Sequence, residues 1–221
     1  GKSTLIQIIT GNLSASDGEI CYDGKNIKKS EKNYKRLLGY VPQNQGIYDS
    51  FTAKQFLEYM AILKDVDKKN IPKQIDSILE VVSLTEVKGR KLGGFSGGMR
   101  QRILIGQALL GNPEIVILDE PTAGLDPKER IRIRNFISKI AENKIVLIAT
   151  HVVSDVESIA KEIILLGNGV IAGKGTPEEL CEALNGQVWE CNISPSQYEE
   201  MEKQFVITNL QEVPGGTIRV R

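Results

Sequence analysis

From Thr52 to Leu110, apolar residues recur with the period of a helix. Ile75, Ile78, Leu79 and Val82 fall at i, i+3, i+4 and i+7 and make one apolar stripe; Phe56, Leu57, Met60 and Ala61 make another. Both read as core-facing. After Asn112-Pro113 the period changes. Ile115-Val116-Ile117-Leu118 is a continuous apolar run ending in two acids, the pattern of a strand buried on both faces. Asp126-Pro127-Lys128-Glu129 opens the next helix, with Asp126 as cap, Pro127 in the first position and Glu129 placed to close a capping box. Its apolar face is Ile133, Phe136, Ile137 and Ile140. Ile145 to Ala149 predicts a second buried strand. Strand, helix and strand in this order predict a parallel sheet with crossover helices.

The flanking segments are shorter. Ser3 to Ile9 predicts a helix ended by Gly11-Asn12, and Gly18 to Asp23 predicts a strand closed by the turn pair Asp23-Gly24. Leu37 to Pro42 predicts another strand, which delivers Gln43 to a loop. Near the C-terminus, Thr176-Pro177-Glu178-Glu179 caps a helix reaching about Leu184. Gln187 to Ile193 then reads as a strand, Ser196 to Gln204 as a helix and Pro214-Gly215-Gly216 as a hairpin turn. The expected organisation is an α/β domain over residues 1–184, with a helical subdomain inserted at about 48–110, and a small α/β appendage over 185–221.

Composition narrows the function. With 41% hydrophobic and 25% charged residues among 221, the chain has the make-up of an ordinary globular protein. Lys plus Arg count 28 and Asp plus Glu count 28, so no basic excess points to nucleic acid. Apolar runs such as Ile163 to Leu166 fall far short of the roughly 20 residues a membrane helix needs. Any membrane work therefore calls for another chain. Cys21, Cys181 and Cys191 are widely spaced and odd in number, which suits reduced thiols in a cytosolic setting better than a disulfide framework or a zinc site.

Three segments carry chemistry. Gly1-Lys2-Ser3-Thr4 matches the end of the phosphate loop G-x-x-x-x-G-K-[ST], which offers backbone N–H groups at a helix start, a lysine for phosphates and a hydroxyl for Mg²⁺. Asp119 and Glu120 leave the C-terminal end of a buried strand, a place to hold Mg²⁺ and orient water. Ser96, Gly97 and Gly98 open a helix and make a second anion site of the same physical kind.

Phe95-Ser96-Gly97-Gly98-Met99-Arg100-Gln101-Arg102 resembles the signature of ABC ATPases, usually Leu-Ser-Gly-Gly-Gln, and lies upstream of the acidic strand as in that family. Gln43 matches the family's Q-loop glutamine, Gly124-Leu125-Asp126 its D-loop, and His151, the chain's single histidine, its switch histidine. The resemblance covers about Gly1 to Glu179. It implies a P-loop NTPase core that binds ATP and Mg²⁺ and works as a head-to-tail pair, a homodimer being the expected form. Lys2, Ser3 and Thr4 of one copy would hold the phosphates and metal, and Ser96, Gly97 and Gly98 of the other would touch the γ-phosphate, with Gly1 and Asp126 also at the nucleotide. Glu120 would polarise the attacking water, Asp119 and Gln43 would serve the metal and the water, and His151 would stabilise the transition state. The segment from Asn44 to Lys64 corresponds to the family's contact with an integral membrane permease, with Tyr48, Phe51 and Phe56 the residues to watch; Phe56 reads equally well as core. The implied place is the cytoplasmic face of the cell membrane.

The signature departs from the family pattern at Phe95 and Met99; methionine lacks the amide that could bond nucleotide, so Met99 receives no ligand role. The variant looks like the branch serving ABC-2-type exporters, including bacitracin and other drug-resistance systems. The alternatives are an ABC ATPase without transport, or a binding module without hydrolysis. The family also carries a few dozen residues ahead of the position of Gly1, including the strand that feeds the phosphate loop and an aromatic residue that stacks on adenine. The chain is accordingly expected to be a piece of a longer protein. Losing three charge-assisted hydrogen bonds at about 1.5–3 kcal/mol each would remove most of the roughly 8 kcal/mol of a micromolar complex, so weak or no ATP binding is expected of this piece alone.

Overall fold

The computed structural model describes residues 1–214 and 216–221. Gly215, the middle of the expected Pro214–Gly216 turn, lies outside the described residues. The first helix, α1 (Lys2–Ile9), is followed by a small hairpin, β1 (Cys21–Tyr22) and β2 (Lys25–Asn26), and by α2 (Glu31–Arg36). The strand expected over Gly18–Asp23 is thus confined to Cys21 and Tyr22, because Asp23 and Gly24 turn at positive φ and end it. Next come β3 (Leu38–Val41), the helices α3 (Ala53–Leu63), α4 (Ile71–Val81) and α5 (Gly97–Ala108), and then β4 (Ile115–Asp119), α6 (Pro127–Ala141), β5 (Ile145–Ala149) and α7 (Val153–Glu157). The remaining elements are β6 (Ile163–Gly167), β7 (Val170–Gly175), α8 (Pro177–Glu182), β8 (Cys191–Ile193), α9 (Tyr198–Gln204), β9 (Leu210–Val213) and β10 (Thr217–Val220).

Two compact units result. One comprises Gly1–Ala160 with Leu166–Ile171, the other Lys161–Leu165 with Ala172–Arg221, so residue 184 falls inside the second. The first is built on a parallel sheet ordered β3-β4-β5. Every residue of β4 is buried, and alternation along the strand divides them between two cores. Val116 and Leu118 join the helices α3 to α6, whereas Ile115 and Ile117 pack with Ile6, Ile27 and Tyr34. A continuous apolar run is the only pattern that satisfies both faces. β5 departs from the expectation of full burial. Only Ala149 is buried, and Ile145 is 57% exposed, because β5 pairs on one side alone among the described residues.

α5 lies close over β3. A side chain at Gly39 would meet the Ala108 carbonyl carbon at 3.0 Å and Pro113 Cγ at 3.2 Å, so only glycine admits this approach. Gln107 Nε2 adds a bond to the Tyr40 carbonyl at 3.1 Å. The C-terminal end of α5 is closed by Lys64, whose Nζ donates to the carbonyls of Gln107, Ala108 and Leu110 at 3.1, 2.9 and 3.4 Å. Burial pushes this ammonium down to about 8 from 10.5. Between those values the unfolded chain binds the proton more tightly, so unfolding free energy gains a rising contribution from pH 8 to 10.5. Urea denaturation over pH 7–11 is expected to show that rise in the native protein and to lack it in Lys64→Met, which also leaves three carbonyls without their donor and is less stable by about 1–3 kcal/mol at pH 7.

The second unit contains an antiparallel sheet ordered β8-β10-β9, with Ile193 and Val220 buried. The predicted strand over Gln187–Ile193 shrinks to its last three residues. α8 carries the expected cap in full, Thr176 and Glu179 exchanging side-chain and backbone bonds.

Candidate functional site

Parallel pairing sets three candidate residues at one end of the sheet. Val41 pairs with Leu118, so Gln43 leaves its strand at the level of Glu120. Asp119 pairs with Ala149, which places Thr150 beside Glu120 on the next strand. Glu120 adopts φ +52°, uncommon for a residue with a side chain, and its N–H donates to the Ala149 carbonyl at 2.8 Å.

Its carboxylate is almost wholly enclosed, the side chain 8% exposed, and is held from two directions. Thr150 Oγ1 donates to Oε2 at 3.2 Å, and His151 Nδ1 stands 2.8 Å from Oε1. Lys2 closes the group: Nζ donates to the Thr150 carbonyl at 2.9 Å and lies 3.9 Å from Glu120 Oε1. Lys2, Ser3 and Thr4 form the first turn of α1, capped by Gly1, so their N–H groups have no partner within the helix and point their positive ends outward. Asp119 is buried at 5% exposure. Burial raises its carboxyl above the usual range and the Glu120 charge adds to that, while the Ser3 hydroxyl and Lys2 pull it back. Ser3 and Asp119 therefore supply hard oxygen donors near one another, which fits Mg²⁺.

Ser96, Gly97 and Gly98 lie elsewhere, at the start of α5. Ser96 caps that helix, its Oγ accepting from Met99 N at 3.3 Å, so the N–H groups of Gly97 and Gly98 stay free of intrahelical bonds. Met99 is half-buried against the large core, which accounts for an apolar side chain at that position. Asp126 caps α6, accepting from Glu129 N at 3.0 Å. Only half of the expected capping box forms, because the Glu129 carboxylate turns to Arg132 and Arg102. No described hydrogen bond joins these residues to the Lys2–Glu120–His151 group, and Gln43 is exposed at its edge. Phe56 is core at 1% exposure, whereas Tyr48 is half exposed and packs against Phe51 and, edge-on, Tyr59 at centroid distances of 5.2 and 5.6 Å.

One further device carries no signal in the residue pattern. Thr122 Oγ1 donates to Asp155 Oδ2, both side chains being buried, and Arg134 Nη1 lies 3.6 Å from Asp155 Oδ1. This ties the loop after Glu120 to the helix after His151, across 33 positions. Thr150 was also missed; a hydroxyl beside a strand-end histidine was the one available signal.

The chain is similar to known proteins over most of its length. Residues 1–123 match the ABC transporter family. The chain is 35% identical over 193 residues to the uncharacterized ABC transporter ATP-binding protein YxlF of Bacillus subtilis, covering 87% of this chain and 64% of that protein, less than two thirds of its length. It is 32% identical over 224 residues to the bacitracin transport ATP-binding protein BcrA of Bacillus licheniformis, covering 100% of this chain and 72% of BcrA. Among solved structures it resembles the dimeric, post-hydrolysis ATP-binding cassette MJ0796 bound to ADP and Pi, with TM-score 0.68, 26% identity and 80% of each chain covered.

Proposed function

The chain belongs to the ABC transporter family, and from that premise we propose that it hydrolyses Mg-ATP as one of two identical domains that drive an integral membrane exporter. The observation that carries the proposal is the Glu120 carboxylate, enclosed and clasped by Thr150 and His151 above the lysine that begins α1. A carboxylate so fixed is a base with one orientation, and phosphoryl transfer depends chiefly on positioning and charge.

In this reading the ATP phosphates lie at the free N–H groups of Lys2, Ser3 and Thr4, and Lys2 Nζ exchanges the Thr150 carbonyl for phosphate oxygens. Ser3, Asp119 and Gln43 would hold Mg²⁺, which supplies neutralisation of phosphate charge when bound. Glu120 orients the attacking water and receives its proton. His151 remains bonded to Glu120 through Nδ1, and its exposed ring faces the γ-phosphate. The γ-phosphate is completed by Ser96 Oγ and the Gly97 and Gly98 N–H groups of a second copy, since no described bond brings them to the Glu120 group of their own chain. The ADP- and Pi-bound dimer of the MJ0796 relative supports a paired arrangement. The name of BcrA, a bacitracin transport ATP-binding protein, supports transport of a drug-like molecule. Among the described residues no helix is long and apolar enough to cross a membrane. On the strength of the family, the exposed Tyr48 face is assigned to the permease and the domain to the cytoplasmic surface.

Sedimentation of the intact protein tests the pairing. With ATP and a chelator to block turnover, a dimer is expected, and Ser96→Arg should sediment as a monomer under the same conditions. A protein that binds ATP yet stays monomeric at every concentration would sink the paired reading.

A further inference from the structure

Glu129 stands in the first turn of α6, where local rules assign it to that helix's own cap. Its carboxylate lies instead against Gly98. Ser96 and Gly97 are exposed, but Gly98 is buried, so the glycine at 98 answers to the interior of its own chain. A Cβ placed there would overlap the Glu129 carboxylate, at 2.6 Å from Cδ and 2.7 Å from Cγ. Glu129 is not a loose end that could swing aside. Its side chain is 16% exposed, and Oε1 pairs with Arg132. Oε2 is buried without a hydrogen bond, 3.9 Å from an equally buried Arg102 Nε.

Arg102 follows Gly98 by four residues and so shares its face of α5. Its Nη1 donates to the carbonyls of Val82 and Ser83, at the end of α4, at 3.0 and 3.1 Å. The opening turns of α5 are therefore fixed on one side by α4 through Arg102 and on the other by α6 through Glu129. α6 itself begins at Pro127, a short loop after Glu120.

We propose that Glu129 is a positioning residue for the Ser96–Gly98 segment: its carboxylate fills the place of a side chain at 98 and sets the direction in which Ser96 and Gly97 meet nucleotide. This rests on the reading of that segment as the contact to ATP on a second copy. It also gives Gly98 a reason to be glycine distinct from close approach to the nucleotide.

Steric suppression separates the two reasons. Gly98→Ala, Glu129→Ala and the double variant are compared in the intact protein for Mg-ATP turnover, for ATP affinity of the monomer and for thermal midpoint. Gly98→Ala is expected to lose about tenfold or more in kcat with monomer affinity unchanged, and Glu129→Ala to lose several-fold. The double variant should return to the Glu129→Ala level, the non-additivity expected of groups in contact. Gly98→Ala combined with Glu129→Gln, which keeps the volume, should stay as low as Gly98→Ala. A double variant no better than Gly98→Ala in both turnover and thermal midpoint overturns the proposal. Ser96→Ala run in parallel reports on the underlying reading. If Ser96→Ala turns over normally, that reading fails, and the thermal midpoints alone decide for or against Glu129.

Discussion

Replacing Glu120 with glutamine is expected to slow ATP hydrolysis by about 10²–10⁴-fold, the usual contribution of a positioned general base. The amide has the same shape. It can still accept from Thr150 Oγ1 and still reach His151, so the clasp persists and the fold is not disturbed. What it loses is the capacity to take a proton from water. ATP affinity should change little, because in the proposed mechanism Glu120 meets the water and His151 rather than the nucleotide. Loss of the 3.9 Å charge pairing with Lys2 even frees the lysine for phosphate. The expected signature is therefore a fall confined to kcat, read by phosphate release under saturating Mg-ATP. A glutamine variant with native turnover would remove Glu120 from the chemistry.

His151→Ala comes second in magnitude, with an expected loss of about 10²–10³-fold in kcat, as for removal of one preorganised group from a transition-state site. Two effects combine. The imidazole side chain is 70% exposed, unlike the carboxylate it binds, so it is available to a bound γ-phosphate. Its removal also withdraws one of the two groups that fix Glu120 and leaves Thr150 alone to orient it. Because the proposal has both residues act on the same water and phosphate, the Glu120→Gln, His151→Ala double variant should be scarcely slower than Glu120→Gln. Multiplicative losses would show that the two act independently and that the 2.8 Å contact has no catalytic meaning.

The parts of this molecule dictated by local pattern were legible in the sequence. The apolar run Ile115–Leu118 became the central strand, and the Thr176–Glu179 box formed whole, because each depends on neighbours within a few residues. The order of Lys2, Ser96, Glu120 and His151 along the chain likewise disclosed the family. Legibility failed where a distant partner competed with a local rule. Glu129 has the spacing of a capping residue, but Arg102 and Arg132 offer its charge more than a backbone N–H does, and Gly98 leaves it room. Asp155 and Thr122 carry no periodic signal, since a buried hydroxyl–carboxylate pair is created only when the loop after one strand meets the helix after its neighbour. β5 looked as buried as β4 because an apolar run records side-chain chemistry and not the number of strands alongside.

The most direct test of the central claim is phosphate release from Mg-ATP by the intact protein, measured beside its Glu120→Gln and His151→Ala forms and repeated with the proposed membrane partner. Saturable, Mg²⁺-dependent release that collapses in both variants while ATP binding survives is the predicted result. Tight ATP binding with no phosphate released by the native protein in either setting would contradict it, and would make the Glu120 group a binding site without hydrolysis.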